Sequence, residues 1–113
     1  PYTTLFRSSM VSPFDVAVLP LFDKDGMGEI ASDILSRVNS MPGLRGEMDS
    51  SKSIGRRYAR VDEIGVPWAI TVDHETLNDG SVTVRRRDDQ KQIRVAVDEV
   101  LSNLGTGTVS ALF

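Results

Sequence analysis

Cysteine is absent from these 113 residues, which excludes a disulfide framework and a thiolate zinc site and fits a reducing, cytoplasmic setting. Long apolar runs are missing as well. None approaches the roughly 18 to 20 residues a membrane span needs, and no basic stretch leads into a hydrophobic segment of the kind that directs secretion, so no membrane partner is expected. Histidine occurs once, as His74 between Asp73 and Glu75. A metal site needs converging ligands and a nucleophilic triad needs a placed Ser or Cys with an orienting acid; neither can be identified, so His74 reads as a loop residue, with no catalytic residue and no metal ligand expected. Net positive charge is lacking too. At −3 overall, the chain is not one that grips nucleic acid through bulk charge. Internal repeats and low-complexity runs are not found.

What is present supports one domain, since 40% hydrophobic content over this length is enough for a single small core. Charge is unevenly spread. Outside residues 52–94 the basic residues are Arg7, Lys24, Arg37 and Arg45, against Asp15, Asp23, Asp25, Glu29, Asp33, Glu47, Asp49, Asp98 and Glu99. Positive charge is therefore concentrated in the middle of the chain. The first eight residues, PYTTLFRS, read as the translation of a sequencing-adapter tail (CCC TAC ACG ACG CTC TTC CGA TCT), which would make the chain a fragment of a longer protein; an ordinary disordered terminus is the plainer alternative. The expected division is residues 1–9 as a non-native or disordered segment, 10–105 as the domain and 106–113 as a flexible tail.

Asp15 to Phe22, DVAVLPLF, is apolar enough for a strand buried on both faces, and reads as the first and central strand. Met27, Ile30, Ala31, Ile34, Leu35, Val38 and Met41 follow at helical spacing, opened by Asp25 and closed by Pro42 and Gly43. Leu44 to Ser50 is a polar candidate for an edge strand. A second helix is predicted from Ser53 to about Ile64, stopped by Gly65 with Pro67 beyond it. Pro67 to Asp73 is a strand with Trp68, Ile70 and Val72 on one face, joined through an Asn78-Asp79-Gly80 turn to a strand at Ser81–Arg87 with Val82 and Val84 inward, an antiparallel hairpin. Ile93 to Val95 can add a short strand before a final helix carrying Val97, Val100, Leu101 and Leu104, stopped by Gly105. The order β, α, β, α, β, β, β, α suits a mixed sheet with helices packed on it.

Gly26, Gly28 and Ala31 spell G-x-G-x-x-A after a strand, and Glu47 or Asp49 lies near the distance of a ribose-binding acid. Asp23, Lys24 and Asp25 intervene, however, and set carboxylates where a pyrophosphate would approach the helix. Helix-start chemistry is the better reading. Lys52, Arg56, Arg57 and Arg60 are more telling, because Arg56 and Arg60 are i, i+4 neighbours flanked by Arg57, while Ile54, Tyr58, Val61 and Ile64 take the other side. Three guanidiniums can then offer planar donor forks to a phosphate backbone, and Arg57→Glu is expected to weaken RNA binding without touching the fold. The competing reading is a solvated face partly neutralised by Asp62 and Glu63. Gly55, in the first turn, lets another backbone come close where a purely structural helix would favour Ala. Arg85, Arg86 and Arg87 end the later strand, followed by Asp88, Asp89, Gln90, Lys91, Gln92 and Arg94. Alternation puts Arg85 and Arg87 on one face and Arg86 on the other, so at least one is structural; Asp88 and Asp89 either pair with them or accept hydrogen bonds from exposed base edges.

The run S-I-G-R-R-Y-A-R-x-D-E-I-G-V-P-W-A-I-T-V-D from Ser53 to Asp73, then T-V-R-x-R-D and Q-I-R-V, resembles the C-terminal anticodon-binding domain of glycyl-tRNA synthetases, which are class II aminoacyl-tRNA synthetases. The resemblance covers about Val16 to Leu104. It implies an α/β fold, a mixed sheet of about five strands flanked by about three helices, that holds the anticodon stem-loop of tRNA-Gly. Lys52, Gly55, Arg56, Arg57, Arg60, Arg85, Arg87 and Asp88 would form the tRNA-binding surface, with the first arginine group on phosphates and Arg85, Arg87 and Asp88 toward loop bases. The parent enzyme, a homodimer by the same resemblance, activates glycine with ATP and Mg²⁺ and transfers it to the tRNA 3′ end. Class II catalytic motifs have no counterpart here, so no cofactor is expected in this chain. Alternatives are the anticodon-binding domain of a threonyl, prolyl or histidyl enzyme, a noncatalytic relative serving as an interaction or polymerase-accessory module, and a small nucleotide-binding enzyme built on the first strand and helix.

Overall fold

A computed structural model describes residues 14–21, 26–48 and 54–113. Five strands form one mixed sheet in the order β2-β1-β3-β4-β5. β1 (Val16–Pro20) runs parallel to both β2 (Gly46–Met48) and β3 (Trp68–Val72); β4 (Ser81–Arg86) is antiparallel to β3, and β5 (Gln92–Ala96) to β4. All five residues of β1 are buried, as its apolar run demands. Its place is second in the sheet, and β3 takes the middle.

Alternation on β1 divides the interior into two layers. Val16 and Val18 join Ile70, Val72, Val82 and Val84 in the larger core, beneath α1 (Met27–Asn39) and α4 (Val97–Thr106). α1 contributes Met27, Ala31, Ile34 and Val38, one apolar stripe at helical spacing, and α4 contributes Val100, Leu101 and Leu104. Ala17 and Leu19 point the other way, to a smaller cluster with Val66, Ala69, Phe14 and Ile64. Ile64 closes α2 (Ile54–Ile64), so this second helix lies on the opposite face from α1 and α4. Gly65, with φ of 83°, ends it as expected.

β2 is an edge strand of three residues, held close to α1. A Cβ on Gly46 would stand 2.9 Å from Leu35 Cδ1 and 3.1 Å from Val38 Cγ1, and the Gly46 N–H donates to Asn39 Oδ1 at 2.7 Å. Glycine is what permits that approach.

Three local expectations are corrected. Asn78-Asp79-Gly80 is not a two-strand turn: the β3–β4 connection contains α3 (His74–Asp79), which makes four α-helices among the described residues. Its origin is a capping box in which Asp73 accepts from the Thr76 N–H and the Thr76 hydroxyl accepts from the Asp73 N–H. Gly80, at φ 72°, is the left-handed stop, and His74 is the first helical residue, not a loop residue. Gly105 lies inside α4, which ends instead at Gly107 with φ of 73°. Residues 109–112 then form a 3₁₀ turn with Val109 buried, and the Phe113 ring lies 5.8 Å from that of Trp68. Val109, Leu112 and Phe113 pack against the larger core. Asp25, the expected opener of α1, lies outside the described residues.

Candidate nucleic-acid interface

The strand pairing assembles a polar surface on the α2 side of the sheet. Thr83 pairs with Thr71 and Arg94, and Arg85 pairs with Ala69 and Gln92, so Thr71, Thr83, Arg85, Gln92 and Arg94 share one face. Val82 and Val84 occupy the other face, in the core. Thr83 and Arg85 are half-buried, Gln92 and Arg94 exposed. α2 borders this surface and is tied to it by arginine forks.

Arg85 donates two hydrogen bonds to the carboxylate of Asp62 on α2, at 2.8 and 3.0 Å. Arg87 adds a bond from Nε to the Asp62 carbonyl at 3.0 Å. Both thus meet α2, as alternation requires. Arg86 faces the opposite side, where it forks onto Asp89 at 3.0 and 2.6 Å and lies 4.5 Å over the Phe113 ring. That pair holds the Asp89 carboxyl down at about 2 and raises Arg86 above its ordinary value. The Lys91 N–H also donates to Asp89 at 3.1 Å, fixing a β4–β5 turn in which Gln90 takes a left-handed φ of 59°. Asp88 is exposed on that turn.

Arg60, expected to face phosphates, forks onto both carboxylate oxygens of Glu47 on β2 at 2.8 Å each. Its side chain remains 41% exposed. The same contact engages the acid that a ribose would need, which weighs against the dinucleotide reading; Asp49 lies outside the described residues. Arg57 departs most from expectation. It is 4% exposed and donates from its two terminal nitrogens to the carbonyls of Pro20 and Leu21, the latter at 3.2 Å. A buried guanidinium bonded to main-chain oxygens does not present itself to a phosphate. The fold-neutral outcome expected for Arg57→Glu is therefore withdrawn.

Of the other sequence-predicted residues, Lys52 lies outside the described residues, and for Gly55 and Arg56 only their helical backbone in α2 is described. Periodicity missed three residues that organise the site: Glu47, Asp62 and Arg94. Arg94 donates to Asp73 at 2.9 and 2.7 Å, to Ser81 Oγ at 2.7 Å and to Thr83 Oγ1 at 3.2 Å. Its bond to Asp73 holds that carboxyl below its usual value and raises Arg94. The Q-I-R motif was the available signal for Arg94 and R-x-D-E-I-G for Asp62, but nothing local pairs Asp62 with Arg85 or Glu47 with Arg60. Among the described residues, no group of three or more His, Asp or Glu side chains is placed to hold a metal ion, and no helix is long and apolar enough to cross a membrane.

Residues 15–106 match the anticodon binding domain family. The chain belongs to that family. Among curated relatives, it is 48% identical over 100 residues to a glycine–tRNA ligase of Methanococcus maripaludis and 53% identical over 94 residues to one of Methanothermobacter thermautotrophicus. These alignments take 88% and 83% of this chain but 17% and 16% of the relatives; the chain spans about a sixth of their length. The glycyl-type resemblance of Ser53–Arg94 is thus met in whole sequences. Among solved structures, a prolyl-tRNA synthetase from Cryptosporidium parvum superposes with a TM-score of 0.74 at 20% identity, over 87% of this chain and 21% of that one. The RNA binding domain of threonyl-tRNA synthetase from the same organism gives 0.72 at 18% identity, over 83% and 23%. At such identities the likeness concerns fold alone, and the mixed five-stranded sheet with flanking helices is the fold of this anticodon-binding domain.

Proposed function

We propose that this chain is the anticodon-binding part of a glycine–tRNA ligase and that its ligand is the anticodon stem-loop of tRNA-Gly. The observation that carries the reading is 48% identity to a glycine–tRNA ligase over 88% of the chain, within a domain whose family binds anticodons. The parent enzyme would work in the cytoplasm as a homodimer and would join glycine to tRNA using ATP and Mg²⁺. The part of this domain in that enzyme would be to hold and orient the tRNA. Threonyl and prolyl synthetases resemble it at 18% and 20% identity, which favours them less as the specific parent.

The surface best suited to RNA is the polar face of β4 and β5 beside α2. Hydrogen-bonding side chains such as Gln92 and the exposed Asp88 can meet base edges, and Arg60, whose side chain is partly exposed, lies in the cationic segment beside them. Lys52 and Arg56 remain phosphate candidates from their position in the cationic segment. Local charge, not the overall −3, would steer the association. The test is binding of the chain to a labelled tRNA-Gly anticodon stem-loop across a salt series, beside the same hairpin with a changed anticodon. Tighter binding to the glycine anticodon, weakening as salt rises, is expected; equal or absent binding to both would withdraw the proposal.

A further inference from the structure

The buried Arg57 has a different task from the one its cationic neighbours suggest. We infer that Arg57 is a positioning residue for RNA binding: it clamps the first half of α2 onto the carbonyl end of β1 and itself meets no phosphate. The inference deepens the proposed tRNA reading and rests on it for its consequence.

The geometry has an uncommon requirement. Successive carbonyls of an extended strand point to opposite sides, so one side chain does not ordinarily reach two in a row. Here the ladder to β3 ends where the Leu21 N–H donates to the Val72 carbonyl at 2.8 Å, and the chain bends at Leu21. The bend lets the Pro20 and Leu21 oxygens accept from the two terminal nitrogens of one guanidinium. A planar fork suits that arrangement, whereas a lysine ammonium is a point charge on a flexible stem. Main-chain acceptors buried at a strand end need a donor, and Arg57 supplies one to each.

α2 is thereby held from both halves. Arg57 fixes the first half to β1, Arg60 ties the middle to Glu47 on β2, and Asp62 fixes the second half to Arg85 and Arg87. Releasing Arg57 leaves the later attachments intact and frees the turn that carries Arg56. If the first half of α2 then occupies its binding position only about a tenth of the time, affinity falls about tenfold although every cation that pairs with phosphate is still in the chain.

Salt dependence separates this role from direct contact. A phosphate-binding arginine lowers the slope of log K against log salt by about 1 when removed, whereas a positioning residue lowers affinity at constant slope. Arg57→Met and Arg57→Lys would be compared in the 113-residue chain, measuring hairpin affinity against salt and amide hydrogen exchange by mass spectrometry. The expected result is about tenfold weaker binding for Arg57→Met with unchanged slope, faster exchange at residues 54–60, unchanged exchange in α1, and only partial rescue by lysine. A slope lower by about 1 with α2 protection unchanged would overturn it, as would affinity and exchange that do not move. Should Arg57→Met fail to fold, the lysine variant carries the same two readouts. If the unaltered chain binds no hairpin, the tRNA reading fails by itself, and unchanged α2 exchange in Arg57→Lys would independently refute the clamp.

Discussion

Replacing Asp62 with alanine tests whether arginine forks, and not only apolar contacts, fix α2 to the sheet. The substitution removes both carboxylate acceptors of Arg85, at 2.8 and 3.0 Å, while the main-chain bond from Arg87 to the Asp62 carbonyl survives. The Arg85 side chain is 11% exposed and that of Asp62 27%, so water compensates only in part. Breaking a fully buried pair costs about 3 to 5 kcal/mol, and a charge-assisted bond is worth about 1.5 to 3 kcal/mol. Partial exposure brings the expectation to about 2 to 3 kcal/mol. At about 4 to 8 °C per kcal/mol for a domain of this size, the melting temperature should fall by about 8 to 24 °C. Trp68 is the single tryptophan, so its fluorescence follows the transition, and a double-mutant cycle with Arg85→Ala should return a coupling of at least about 1 kcal/mol. A loss within about 0.5 kcal/mol, or additive single effects, would refute the claim that this pair anchors the helix.

Trp68→Ala should destabilise by about 2 to 3 kcal/mol, below the roughly 3 to 5 of a fully buried indole, because Trp68 is only half-buried where it packs on the core and Phe113. Circular dichroism melting checks this, and a near-neutral shift would mean that Phe113 and the core do not rest on the indole. Acid stability should depend on Asp73, whose carboxyl Arg94 holds below its usual 3.8. A depressed folded pKa gives stability that is complete above the unfolded value and is lost as pH falls through the lower folded value. Melting temperature should therefore hold between about pH 7 and 5 and decline below about 4, with a shallower decline in Asp73→Asn. An identical acid profile in that variant would remove Asp73 from the account.

The sequence by itself determined the layers. The apolar runs of Val16–Pro20 and Trp68–Val72, the period of two in Ser81–Arg86 and the period of 3.6 in Met27–Asn39 are local, and burial followed them because each element hides whatever surface is apolar. The motif around Ser53–Asp73 likewise carried the family, which the match over residues 15–106 bears out. α3 was obscured because Asn-Asp-Gly serves equally as a hairpin turn and as a helix end, and the Asp73–Thr76 capping box decides for the latter. Tertiary structure alone decided what the arginines do. Arg57, Arg60 and Arg85 look alike in the chain, yet one reaches main-chain oxygens at the end of β1, one reaches Glu47, and one reaches Asp62, each on a different element. A guanidinium's long reach and fixed fork make its partner a property of what lies across the fold, so charge in sequence located the surface but not which cations face outward from it.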